Sequence, residues 1–183
     1  MGFTLVTRVG VGTRDGKTLA VLTQGFLRGV VACNRIAIRS AKRRGRPLPR
    51  LYESGVEYER EPWPKGLEEF ADINTILKRG WGDCDDLCAA RVAELQEDGE
   101  HADCRVYWRR RCECGEWDSG AGKCARCGQS LEGRPIKMHC EVRRGVCFAC
   151  SSKLNVVNGR HVCPGCRRHD SGKIEDPSRF LGL

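Results

Sequence analysis

The residue best placed to do chemistry in this chain is Cys84, within Gly80-Trp81-Gly82-Asp83-Cys84-Asp85-Asp86-Leu87. Behind it Leu87, Cys88, Val92 and Leu95 recur at helical spacing and Gly99 ends the run, which predicts a helix. Gly82 and Asp83 read as lead-in and N-cap, so Cys84 falls in the first turn. Unpaired backbone N–H groups and the helix dipole favour a thiolate there, the form of cysteine that attacks carbonyl carbon. The carboxylates of Asp83, Asp85 and Asp86 act the other way and raise the thiol pKa. A nucleophilic Cys84 therefore needs a cationic partner from elsewhere, most simply a histidine. The competing reading is a capped helix with a small buried thiol.

Eight more of the thirteen cysteines fall in close pairs: Cys112/Cys114, Cys124/Cys127, Cys147/Cys150 and Cys163/Cys166. Two cysteines two or three positions apart can grip one metal ion from a tight turn, and two such pairs complete a closed tetrahedral site. Glycine follows in Cys114-Gly115 and Cys127-Gly128, as a tight turn wants. The spacing predicts two zinc modules resembling zinc ribbons, spanning 111–133 and 146–168, each holding one structural Zn2+. Four protein ligands leave no open position, so the metal is expected to support the fold. His161 and His169 are near enough to substitute as ligands, and Cys104 or Cys140 could also exchange in.

The elements that must position these groups are legible in outline. Phe3 to Val11 reads as a strand with a turn after it. Leu19, Leu22, Phe26, Val30, Cys33 and Ile36 or Ala37 predict a helix to about Ser40. Lys42 to Arg50 is a basic, proline-broken connection read as a solvated linker, and Leu51 to Pro64 as an irregular wrapping segment. Leu67, Phe70, Ile73, Ile76 and Leu77 predict a helix over 67–77. After Gly99 the period changes to two. Ala102–Arg110 and Ile136–Arg144 read as strands, the second with Ile136, Met138, Cys140 and Val142 on one face and Lys137, His139, Glu141 and Arg143 on the other. Lys173–Asp176 is a last short strand. Helices followed by an antiparallel sheet give an α+β domain across 1–183, with one zinc module in each hairpin.

Composition excludes some classes. With 31% charged and 40% hydrophobic residues the chain is expected to be soluble and mostly folded, and no apolar run is long enough to span a membrane. The opening residues lack the layout of a signal peptide, so the protein is not expected to be secreted by one, and metal thiolates are favoured over disulfides. The formal charge of +8 counts thiols as neutral. Two four-thiolate zinc sites would add about −2 each and leave roughly +4, so basicity alone is weak grounds for nucleic-acid binding. Arg109-Arg110-Arg111 and Arg167-Arg168 keep that partner open but not favoured.

With both modules set aside, Cys84 at a helix start is followed by a strand bearing His139 and a strand ending in Asp176. Cys84 reads as nucleophile, His139 as its base, and Asp176 as the group orienting the imidazole, with Glu175 the competing choice on the opposite strand face. The order Cys, His, Asp resembles the transglutaminase-like cysteine peptidase superfamily, and most closely a group of its members encoded by tailed bacteriophages. The motifs that carry the likeness are Leu51-Tyr52-Glu53-Ser54-Gly55-Val56, Tyr58-Glu59-Arg60-Glu61-Pro62, Arg79-Gly80-Trp81-Gly82-Asp83-Cys84-Asp85-Asp86-Leu87, Arg91-Val92-Ala93-Glu94-Leu95, His139-Cys140-Glu141-Val142-Arg143-Arg144 and Glu175-Asp176-Pro177-Ser178-Arg179-Phe180-Leu181-Gly182-Leu183. The resemblance implies a transglutaminase/papain-like helix-plus-sheet fold and peptide or amide chemistry through a thioester. It also implies a head or tail assembly role, with the protein in the host cytoplasm and/or the virion and a protein substrate or phage structural protein as partner. The zinc insertions depart from the family pattern. They admit a second reading, a non-catalytic assembly protein that docks through its zinc modules, and a third, a nucleic-acid-binding zinc protein.

Overall fold

The computed structural model describes residues 2–8, 16–61, 67–116, 118, 122–134, 136–144, 155–157, 160–162, 169–170 and 174–182. In chain order the elements are β1 (Thr4–Arg8), α1 (Gly16–Arg43), a single 3-10 turn at Leu51–Glu53, β2 (Glu57–Tyr58), β3 (Leu67–Ala71), α2 (Ile73–Arg79), β4 (Trp81–Gly82) and α3 (Cys84–Glu97). Then come β5 (Ala102–Arg110), β6 (Ile136–Arg144), β7 (Asn155–Val157), β8 (Arg160–Val162), β9 (His169–Asp170), β10 (Ile174–Glu175) and α4 (Pro177–Phe180). The architecture is α+β, with helices packed on small and mainly antiparallel sheets.

The central sheet has the order β10-β6-β5, antiparallel throughout, with Val106 opposite Cys140 and Tyr107 opposite His139. Side chains alternate along β5 and β6 as the sequence implies. Cys104, Val106, Cys140 and Val142 form the inner face and are buried against Leu27, Val30 and Val31 of α1 and Cys88, Ala89 and Val92 of α3. The free edge of β5 is closed by a side chain. The carboxamide of Gln24, on α1, donates to the Cys104 carbonyl and accepts from the Val106 N–H at 3.2 Å, taking the place of a fourth strand.

Two sequence expectations are corrected by this packing. The buried stripe of α1 is Leu19, Thr23, Leu27, Val30, Val31, Asn34 and Ala41, while Leu22, Phe26, Cys33 and Ile36 are exposed. Two of the buried positions are polar and earn their burial through specific bonds. Thr23 Oγ1 donates to the Leu19 carbonyl at 2.8 Å and accepts from Trp108 Nε1, and Asn34 Oδ1 accepts from the Ile73 N–H at 2.7 Å. The second correction concerns 67–77, which is a strand and then a helix. β3 pairs antiparallel with β1, from Thr4 opposite Ala71 to Arg8 opposite Leu67. Asp72 breaks the run as N-cap of α2, its carboxylate accepting from Thr75 N–H at 3.0 Å. Among the described residues no helix is long and apolar enough to cross a membrane.

Candidate functional site

α3 starts where the motif places it. Asp83 is the N-cap, and its carboxylate accepts from the Asp86 N–H at 3.5 Å. Gly82 is required by close approach, because a Cβ there would lie 3.1 Å from Leu87 Cδ2 and 3.3 Å from Asp86 Cβ. Trp81 and Gly82 form β4, which pairs parallel with β2, so Leu51–Pro64 contributes a strand alongside the motif. Glu57 N–H donates to the Gly80 carbonyl at 3.0 Å and Glu59 N–H to the Gly82 carbonyl at 3.0 Å.

The acids of the motif differ in their partners. Asp86 is fully buried and accepts from the Ala71 N–H at 2.7 Å. Its other oxygen meets the Arg79 guanidinium, which also donates to Glu69 Oε1 at 2.6 Å and to the Trp81 carbonyl at 2.8 Å. The same guanidinium stacks 3.6 Å from the centroid of the Trp81 ring. Asp85 is also fully buried; no N–H group among the described residues donates to its oxygens, and its side chain meets the carboxyl of Asp83. Burial pushes the carboxyls of Asp83, Asp85 and Asp86 upward, and the charge of Asp83 adds to this at the other two. Glu61 and Glu68 converge on Asp83, and burial with the Asp83 charge pushes them up to about 8 and about 7.

Cys84 is partly buried and its partner is a second thiol. The Cys140 S–H donates to Cys84 Sγ and lowers its pKa, as does the Cys140 backbone N–H. Burial and the charges of Asp83 and Glu68 outweigh these bonds and leave the Cys84 thiol above its ordinary value. His139, the base expected from the sequence, is the neighbour of Cys140 along β6. Cys140 lies on the inner face of β6 with α3, and the next residue along a regular strand points the opposite way. His139 therefore occupies the outer face, with Nε2 3.4 Å from Glu141 Oε1 and its ring stacked on Tyr107 at 6.3 Å between centroids.

The other two acids of the expected constellation are also engaged elsewhere. Asp176 is the N-cap of α4, accepting from Ser178 N–H at 3.1 Å and Arg179 N–H at 3.4 Å. Its charge is felt at Cys88, one helical turn beyond Cys84. Glu175 accepts from Arg91 Nε at 3.0 Å, Arg144 Nη1 at 2.7 Å and Tyr52 Oη at 3.2 Å. His139 meets the carboxylate of Glu141, two residues along the same strand face.

The first cysteine module is assembled between β5 and β6. The sulfurs of Cys112, Cys114, Cys124 and Cys127 all lie within 4.8 Å of one another, with Cys112–Cys127 at 3.6 Å and Cys114–Cys124 at 3.5 Å. A tetrahedron with Zn–S bonds of about 2.3 Å has edges of roughly 3.8 Å, so this set fits a metal ion of that size. Each pair sits on a tight turn that closes at a left-handed glycine, Gly115 at φ 85° and Gly128 at φ 72°. The Cys127 N–H approaches Cys124 Sγ at 3.5 Å and pushes that thiol down to about 6. Cys112 and Cys124 pack with the fully buried Leu131 as a separate small core. Cys147, Cys150, Cys163 and Cys166 lie outside the described residues. The strands β7, β8 and β9 around them form an antiparallel sheet of their own.

No protein-family model, curated protein or solved structure matches this chain.

Proposed function

We propose that this chain is a protein-binding scaffold on a transglutaminase-like core, one that keeps the cysteine-bearing helix but does not use Cys84 as an activated nucleophile. The observation that carries this reading is the pairing of Cys84 with Cys140 on the inner face of β6, with His139 on the outer face. A thiol whose pKa is raised by burial and carboxylates is a poor attacking group. Binding to protein is supported by α1, where Val21, Leu22 and Ile36 are 72%, 57% and 63% exposed. The four-thiol module between β5 and β6 holds one structural Zn2+ in this reading, and the second module holds another. The resemblance to phage-encoded members makes a head or tail structural protein the partner of choice.

The experiment is a binding assay against head and tail proteins of a phage that encodes the chain. A stoichiometric complex that Cys84→Ala leaves intact supports the scaffold. One further reading keeps the thiol enzyme, favoured by the position of Cys84, a partly exposed residue, at the start of a capped helix. In that reading Cys84 attacks an amide carbonyl, a thioester forms as the amine leaves with a proton, and water or a second amine resolves it. Amide cleavage abolished by Cys84→Ala would establish that reading in place of the scaffold.

A further inference from the structure

We propose that Asp83, Cys84 and Asp85 form a second kind of metal site, separate from the four-cysteine module, that takes a borderline divalent cation such as Zn2+. The carboxylate oxygens of Asp83 and Asp85 and the sulfur of Cys84 all lie within 4.8 Å of one another. Asp85 is 0% exposed, no N–H group among the described residues donates to either of its oxygens, and its side-chain neighbour is the equally buried carboxyl of Asp83, which can meet it only through a shared proton or a cation. A buried carboxylate without a partner is costly, and native proteins resolve it with a proton, a cationic side chain or a metal ion. Among the described residues no cationic side chain pairs with Asp85. Arg79, near this end of α3, is engaged with Glu69, Asp86 and the Trp81 carbonyl.

The donor set defines the ion. One sulfur with carboxylate oxygens suits Zn2+ better than Mg2+ or Ca2+, which take oxygen ligands alone. Cys140 acts as an outer partner, since its S–H and N–H both donate to Cys84 Sγ and hold that sulfur as an acceptor, the role a metal-bound thiolate needs. Glu61 and Glu68 come within 4.8 Å of Asp83 and add negative charge that a cation would offset. Three protein ligands leave a further position for water or a partner's side chain, unlike the closed four-thiol module. The inference rests on this geometry and not on the scaffold reading, which stands or falls separately.

The test is zinc stoichiometry by mass spectrometry of the full chain after equilibration with a limited Zn2+ buffer. It compares the wild type with Asp85→Asn and Asp83→Asn, and with Cys127→Ser as a control for the four-thiol module. Asn at position 83 retains an N-cap, so one variant keeps its helix start even if the other folds poorly. The wild type is expected to hold one more equivalent than either Asp variant, with Zn2+ affinity at this site down by about 100-fold or more in both. Cys127→Ser should lose a different equivalent, so that Cys127→Ser/Asp83→Asn loses both. A second readout is the thermal midpoint of chelator-stripped protein. Added Zn2+ should raise it in Cys127→Ser and not in Cys127→Ser/Asp83→Asn. Equal zinc content in the wild type and both Asp variants overturns the proposal and leaves Asp85 neutralised by a proton.

Discussion

Replacing Arg79 by Met removes one cation from between two buried carboxylates while keeping an apolar stem against Trp81. The side chains concerned are 15% exposed for Arg79, 12% for Glu69 and 0% for Asp86. Breaking a buried ion pair from one side costs about 3–5 kcal/mol, because the remaining charge is left without compensation. For a chain of this length each kcal/mol moves the thermal midpoint by about 2–4 °C, so the fall should be roughly 6–20 °C. Urea denaturation of the wild type, Arg79→Met, Asp86→Asn and the double variant gives the coupling directly. Asn at position 86 keeps an acceptor for the Ala71 N–H, so the double variant should recover much of the loss. The loss should also be smaller at pH 5 than at pH 8. Burial already pushes the Asp86 carboxyl up, and removing Arg79 pushes it further. A carboxyl that stays protonated in the fold stabilises below that raised value and loses the effect as pH rises through it. A loss under about 1 kcal/mol, or a double variant no better than Arg79→Met alone, would refute the reasoning.

Further outcomes follow from the same contacts. Glu175 is pushed up by burial, but the bonds and charges of Arg91 and Arg144 outweigh this and hold it below the ordinary glutamate value. Its contribution is present above pH of about 4.5 and lost as pH falls through the depressed value, so Glu175→Gln should cost about 1.5–3 kcal/mol at pH 7 and flatten the acid limb of a stability–pH curve. Gln24→Leu should cost about 1–3 kcal/mol by urea titration, since the Cys104 carbonyl and Val106 N–H at the β5 edge lose their partner. Metal chelation should loosen the first module without unfolding the core, because Cys112, Cys124 and Leu131 form a cluster separate from that of α1, α3, β5 and β6. Hydrogen exchange would then rise across 111–134 and stay slow across 84–97.

The helix behind Cys84 and its Asp83 cap were legible because capping and helical periodicity are local signals, and both hold in the structure. The two long strands were legible for the same reason, from strict alternation. The 67–77 segment was not, since its apolar spacing suits a helix and only pairing with β1, some sixty residues earlier, makes its first half a strand. The inner stripe of α1 was misread because Thr23 and Asn34 are polar by type yet buried by their bonds to Leu19, Trp108 and Ile73. At the site, the sequence identified Cys84 and the four cysteines of the first module but did not foresee the contact between Cys84 and Cys140. Alternation along β6 had already put Cys140 and His139 on opposite faces. What it lacked was which face meets α3, and that is fixed by long-range packing of the apolar side against α1 and α3.

The most direct test of the account is alkylation of the native protein against pH, with each modified cysteine mapped by mass spectrometry, in the wild type and in His139→Ala. The account predicts that Cys84 reacts no faster than an ordinary thiol with a pKa of about 8.5 and that His139→Ala leaves its profile unchanged. Fast modification of Cys84 well below that pH, lost in His139→Ala, would contradict it and restore the paired nucleophile.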